Sequence, residues 1–233
     1  ESMGHPKGAY QFLHPNNDVN LSQSTNDAYP TALRVALYEK LGELSDSMRI
    51  IKDSFAKKAS EFKDVIKMGR TQLQDAVPMS LEQEFRTYAV MIGEDIQRVN
   101  EARQLVREIN MGATAIGTGI NAHPDYAKTV EAKLQEVTGR PFVTAGDLVE
   151  ATQDTGAYVQ ISGVLKRVAT KMSKICNDLR LLSSGPRTGF GEINLPAMQP
   201  GSSIMPGKVN PVIPEVVNQV CFQVIGSDIT VTM

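Results

Sequence analysis

Tryptophan is absent from the 233 residues, histidine occurs three times and cysteine twice, and each scarcity removes a class of function. His5, His14 and His123 lie far apart, and none forms a ligand-spaced pair or sits near a catalytic-looking serine. Zinc-type sites and Ser-His-acid triads are therefore set aside, and the histidines are expected as surface or capping residues. Cys176 and Cys221 fall in apolar helical patterns, which reads as packed thiols in a reducing compartment. No apolar run reaches the roughly 18 residues of a membrane span, and no charged-apolar-small leader opens the chain. A net charge of −2, with both signs interspersed, offers no footprint for nucleic acid. The expected compartment is the cytoplasm. With 41% hydrophobic residues, a good core is within reach.

Helical periodicity dominates what is present. After Pro30, expected in a first helical turn, Leu33, Leu37, Leu41, Leu44, Met48, Ile51, Phe55, Ala59 and Phe62 form one seam. At intervals of four and three it predicts a helix about 30 residues long, about 45 Å. A second long helix is expected from the capping box at Ser80-Leu-Glu-Gln83 through Phe85, Tyr88, Ile92, Ile96 and Val99 to Ile109. A short one, roughly 125–138, ends at Gly139. The cleanest seam runs Tyr158, Ile161, Leu165, Val168, Met172, Ile175, Leu179, Leu182 and stops at Gly185-Pro186. A last helix begins near Pro214. Its Val216, Val217, Val220, Cys221, Phe222, Val224 and Ile225 are apolar around most of the circumference, so protein should surround it. Helices this long need neighbours along their whole length. The expected fold is all-α, a long up-and-down helical bundle whose core several subunits share. Residues 1–233 read as one central bundle domain. Both ends look cut, since Glu1-Ser-Met3 is no start and Val231-Thr-Met233 stops inside an apolar run, so an internal fragment is expected.

Four segments interrupt the helices. The stretch from His14 to Asp27 is dense in amides and hydroxyls; a helix start needs one cap, and this has several candidates. Helix N-termini also favour anions. Met68-Gly-Arg-Thr-Gln-Leu-Gln-Asp-Ala-Val-Pro78 reads as a connection between two helices, yet it is richer in polar groups than a connection requires. Gly112-Ala-Thr-Ala-Ile-Gly-Thr-Gly119 follows a helix and lacks a Lys-Ser/Thr ending, so close backbone approach fits better than a phosphate cradle. The fourth, Gly201-Ser-Ser-Ile-Met-Pro-Gly-Lys-Val-Asn-Pro211, can be neither helix nor central strand. A glycine-flanked serine pair beside a fixed cation suits a mobile segment carrying catalytic groups.

That fourth segment resembles the signature loop of the fumarase/aspartase superfamily. Ser24-Thr-Asn-Asp27 and Gly69-Arg-Thr-Gln-Leu-Gln-Asp-Ala-Val-Pro78 follow the same family pattern in the same order, and the likeness covers essentially the whole chain. The resemblance implies reversible anti-elimination through a carbanion stabilised as a doubly charged aci-carboxylate. Ser24-Thr-Asn-Asp-Ala-Tyr-Pro30 and Thr71-Gln72 most resemble the branch that deaminates L-aspartate to fumarate. Fumarate hydratases, the alternative, typically carry histidine where Gln72 stands, as do some aspartate-deaminating members. A non-catalytic helical scaffold, which the superfamily also produces, is the distant third reading.

By the same resemblance Ser202 matches the base. Ser24, Thr25 and Ser203 match donors to the β-carboxylate, with the N–H of Met205. Thr71, Lys208 and Asn210 match contacts to the α-carboxylate, and Asn26 an acceptor for the ammonium. Gln72 takes the histidine position, and Glu215 matches a supporting partner of the loop. The family implies a homotetramer in which three subunits build each site. It implies no cofactor; an activating divalent cation is not identifiable from the residues. An N-terminal domain with a substrate-touching Gly-Thr-Ser block and a C-terminal domain, both typical of the family, are missing from this stretch.

Overall fold

The computed structural model describes residues 1–233. A short π-helical turn at Pro15–Val19 precedes α1 (Thr25–Glu61). There follow β1 (Ile66–Thr71), β2 (Gln74–Ser80), α2 (Leu81–Leu105) and β3 (Glu108–Ile109). The order closes with α3 (Tyr126–Thr138), β4 (Val143–Thr144), α4 (Leu148–Gln153), α5 (Gly156–Leu182) and α6 (Val212–Thr232). The architecture is predominantly helical, as expected. The chain divides into two compact units, Glu1–Lys40 with Arg103–Ala157, and Leu41–Ala102 with Tyr158–Met233.

In the first unit, the helix predicted to follow Pro30 begins five residues earlier. Ser24 Oγ accepts the Asn26 N–H at 3.1 Å while Asp27 Oδ1 accepts the Ser24 N–H at 2.9 Å. This reciprocal box fixes the start and leaves Pro30 inside the helix. A proline there cannot donate to the carbonyl four residues back. That carbonyl, on Asn26, instead accepts from Asn110 Nδ2 at 3.0 Å. The second long helix stops at Leu105, short of the expected Ile109. The carbonyls of Arg107 and Ile109 accept from Val143 and Ala145, each at 2.9 Å, pulling the chain into a parallel β3–β4 pair. Val106, Ile109 and Phe142 are fully buried there, with Tyr38 edge-on to Phe142 and the Arg103 guanidinium 3.8 Å from the Tyr38 ring centre. His14 Nδ1 accepts from the N–H groups of Asn16 and Asn17, and His123 Nδ1 from that of Asp125. His14 caps the π-helical turn and His123 is an exposed residue in the turn before α3, within the expected surface or capping roles.

The second unit shows its topology through its side-chain pairs. Phe55 of α1 lies edge-on to Tyr88 of α2, and Phe62 edge-on to Phe85. Tyr88 of α2 hydrogen-bonds Asp178 of α5, and farther along α2 buried Asp95 meets Arg167 Nε at 3.0 Å. On α5, Ser162 donates to Asp228 of α6, while Arg180 pairs with Glu215 at 2.8 Å. In each pair one helix number rises as the other falls, so α1, α2, α5 and α6 run up and down. Between α1 and α2 lies an antiparallel hairpin where a plain connection was expected. Its strands carry charges and a buried glycine instead of alternating apolar residues, which hides the period-2 signal. The Ser80 capping box forms as expected, with Ser80 N–H to Gln83 Oε1 at 2.9 Å and Gln83 N–H to Ser80 Oγ at 3.2 Å.

Helix α6 departs most from expectation. It buries Asn218, Cys221 and Asp228 but leaves Val216, Val220, Phe222 and Ile229 half or more exposed. It is bonded to α5 through Asn177–Asn218 at 2.9 Å and the Asp228 bonds to Ser162 and Lys166. The apolar faces expected to be surrounded are therefore uncovered by this chain. No helix is long and apolar enough to cross a membrane.

Candidate active site

The Ser24–Asp27 turn is held from several sides. Asp27 is fully buried, and besides the Ser24 N–H on Oδ1 its Oδ2 accepts the N–H of Gly112 at 3.2 Å and of Thr114 at 3.0 Å. Asn26 Nδ2 donates to the carbonyl of Ala115 at 2.7 Å, so the nitrogen end of its amide is engaged. The glycine-rich segment thus serves as a bracket for this turn. Its own compactness depends on Gly112 and Gly117: an added Cβ would lie 2.7 Å from Ala127 Cβ and 2.3 Å from Val149 Cα, respectively. Close backbone approach is the correct reading of these glycines. Ser24 is half-buried, and Thr25 and Asn26 are exposed.

Thr71 and Gln72 sit at the tip of the β1–β2 hairpin, where Thr71 pairs with Gln74 and the turn consists of Gln72 and Leu73. Both turn residues have positive φ, 50° and 63°. Such two-residue turns favour Asn-Gly, so this tip holds a conformation its residues resist, at a cost of about 1–3 kcal/mol each. Below the tip, Lys67 and Arg70 of β1 both reach Glu192, which lies on the segment leading to the Ser202 loop. Lys67 also pairs with Glu84 of α2, and the Arg70 guanidinium lies 4.1 Å from the Phe190 ring centre. Burial alone would push the Glu192 carboxyl up, but hydrogen bonds from Arg70 and Lys67 outweigh it and hold it below its ordinary value. Tyr88 is shifted upward, by burial first and then by the charges of Glu84 and Asp178.

The Gly201–Pro211 segment is irregular and joined to itself by few bonds. Ser202 N–H donates to the Lys208 carbonyl at 3.3 Å and Lys208 N–H to that of Met205 at 3.1 Å. Ser202 is half-buried; Ser203, Met205, Lys208 and Asn210 are exposed. Lys208 and Asn210 line a recess of about 450 Å³ with Gly185, Pro186 and Asn194. Gln72 lines a different one, of about 440 Å³, with Arg70, Tyr88 and Lys174. The structure therefore does not bring Gln72 into one recess with Lys208 and Asn210. Glu215, in the first turn of α6, pairs with Arg180. No three His, Cys, Asp or Glu side chains converge as a cation site would require.

Sequence reasoning missed Asn110 and Glu192 and gave Asp27 no role of its own. The partners of Asp27 lie 85 and 87 residues away, and Glu192 faces a hairpin more than 120 residues upstream. No local pattern signals either one.

Taken one by one, the blocks offer neutral hydroxyl and amide groups, one lysine and a loop-borne serine pair. The lyase family profile matches residues 1–226. Over all 233 residues the chain is 70% identical to an aspartate ammonia-lyase from Helicobacter pylori, covering 50% of that protein. It is 61% identical to one from Escherichia coli K12, covering 49%. Among solved structures, a protein described as fumarate lyase:delta crystallin from Brucella melitensis, bound to cobalt, superposes with a TM-score of 0.96 at 58% identity. That match takes in all of this chain and 50% of the other. A class II fumarase from Schistosoma mansoni matches at 0.90 and 36% identity, over 93% of this chain and 49% of that one. The chain spans about half the length of the curated relatives it matches. It belongs to the lyase family of the fumarase/aspartase superfamily.

Proposed function

We propose that the protein to which this chain belongs deaminates L-aspartate reversibly to fumarate and ammonia. The supporting observation is that relatives 61–70% identical over its full length are aspartate ammonia-lyases, while the serine pair, Lys208 and Asn210 are intact. Ser202 removes the proton beside the β-carboxylate, on a loop free to close over the substrate. A serine hydroxyl is a weak base in water, so closure must exclude solvent and place Lys208 and loop N–H groups near the developing alkoxide. Ser24, Thr25, Ser203 and the N–H of Met205 stabilise the aci-carboxylate, work for which preorganised donors supply several kcal/mol. Thr71, Lys208 and Asn210 hold the α-carboxylate. Asn26 Oδ1 receives the ammonium, and Gln72 faces the same group. Glu215 steadies the start of α6, directly after the loop. The reaction as written needs no cofactor.

Exposure of these groups in one chain argues for a site completed by other copies. The uncovered faces of α6 fit the same reading, a homotetramer with a shared helical core in the cytoplasm. The test is a substrate panel on the full-length protein, following fumarate absorbance with aspartate, malate and argininosuccinate. Aspartate alone should react; turnover of malate without aspartate would make the protein a fumarate hydratase. Sedimentation should show four copies, and a monomeric active species would remove the composite site.

A further inference from the structure

We infer that Asp27, assisted by Asn110, is a positioning residue that sets the orientation of the Asn26 amide toward the substrate's amino group. This deepens the proposed deamination and rests on that reading of Asn26.

Asp27 has no cation among its partners. Its carboxylate is fully buried and satisfied by three backbone N–H groups, one from its own helix start and two from the Gly112–Thr114 peptide. Only a carboxylate serves all three, since an asparagine would turn an N–H₂ toward one set of donors. Thr114, held at φ 59°, is a β-branched residue in the left-handed region, a conformation that persists only when its surroundings over-determine it. The bond to Asp27 is one such constraint. The next carbonyl, on Ala115, receives Asn26 Nδ2 at 2.7 Å. With the nitrogen end engaged, the oxygen end is the one left to meet an ammonium.

Asn110 supplies the second handle. It is almost fully buried, and its Nδ2 donates to the Asn26 carbonyl that Pro30 leaves without a helical donor, and also reaches Thr152 Oγ1 at 3.2 Å. Asn26 is thus fixed through both backbone and side chain, and Asp27 and Asn110 act without touching substrate.

The experiment is a double-mutant cycle on the full-length enzyme, combining Asp27→Asn with Asn26→Ala, read as kcat/KM for aspartate and as thermal midpoint. A mispositioned group costs up to the order of 100-fold, so Asp27→Asn alone should lower kcat/KM by roughly 10- to 100-fold. In the Asn26→Ala background the same change should cost less than about 2-fold, because the group it positions is gone. Equal losses in both backgrounds would make Asp27 merely structural and overturn the inference, as would Asn26→Ala without effect on aspartate kinetics. Should Asp27→Asn fail to fold, Asn110→Ala enters the same cycle with the same two outcomes. Failure of the underlying reading looks different, as wild-type protein without aspartate turnover. Hydrogen exchange would then still show whether the Gly112 and Thr114 amides lose protection in Asp27→Asn.

Discussion

The helix start at Ser24–Asp27 and the loop at Gly201–Pro211 carry similar side chains but are held in opposite ways. Around Ser24 the turn is fastened at several points: a reciprocal cap, a buried carboxylate with three N–H bonds, and a proline-freed carbonyl met by Asn110. Around Ser202 two backbone bonds close the loop and most side chains face water. Charge stabilisation is strongest when donors are in place before the charge develops. A base that must reach a proton and then release product gains from a segment with a low opening cost. On the proposed assignment, recognition would be built rigidly and proton transfer loosely.

Removing the hydroxyl from the loose region tests the contrast most severely. Ser202→Ala should reduce turnover by about 10²–10⁴-fold while an unreactive aspartate analogue still binds, as titration calorimetry would read. Retained turnover would take the base away from Ser202. Truncation on the rigid side should instead appear in stability. Asn110→Ala removes a buried amide and the donor that Pro30 cannot replace at the Asn26 carbonyl, and should cost about 1–3 kcal/mol in denaturant unfolding. Asn210→Ala, on the exposed loop, should stay within about 0.5 kcal/mol, and equal costs would erase the distinction.

The approach to the loop is less free than the loop itself, because Glu192 ties it to the hairpin. The Glu192 carboxyl titrates below its unfolded value of 4.5, so its contribution is complete above that pH and is lost as pH falls through the lower folded value. Glu192→Gln should therefore lower stability at neutral pH and flatten the acid limb of a stability–pH curve. An unchanged acid limb would mean that the ion pairs to Arg70 and Lys67 contribute little. The smallest effect concerns the packed thiols. Burial first, then the nearby Cys221 thiol, pushes the Cys176 thiol up to about 11. Native protein at pH 8 should alkylate there far more slowly than unfolded protein, and equal rates would show that Cys176 is open.

Much of this was legible from residue order. The seams placed every long helix, the Ser80 box and Gly139 marked real boundaries, and His14 and His123 took surface or capping places. The hairpin escaped because Gln72-Leu73 is not a favoured turn pair and β1 mixes Lys67, Gly69 and Arg70 with its apolar residues. Pro30 misled because a first-turn proline is the usual case, and only Asn110, eighty residues on, makes an interior one tolerable. The end of α2 escaped because no glycine or proline marks it; a strand pairing with 143–144 ends it instead.

Residue order by itself determined the long helices, most of their boundaries and the chemical character of the three polar blocks, because those depend on neighbours within a few positions. The tertiary structure decided which of those groups are fastened and which are exposed. Asp27 became a buried bracket, Glu192 a tie between hairpin and loop, and α6 a helix with bare apolar faces, through contacts separated by tens of residues. Such contacts form only when the whole chain is packed, and no local pattern encodes them.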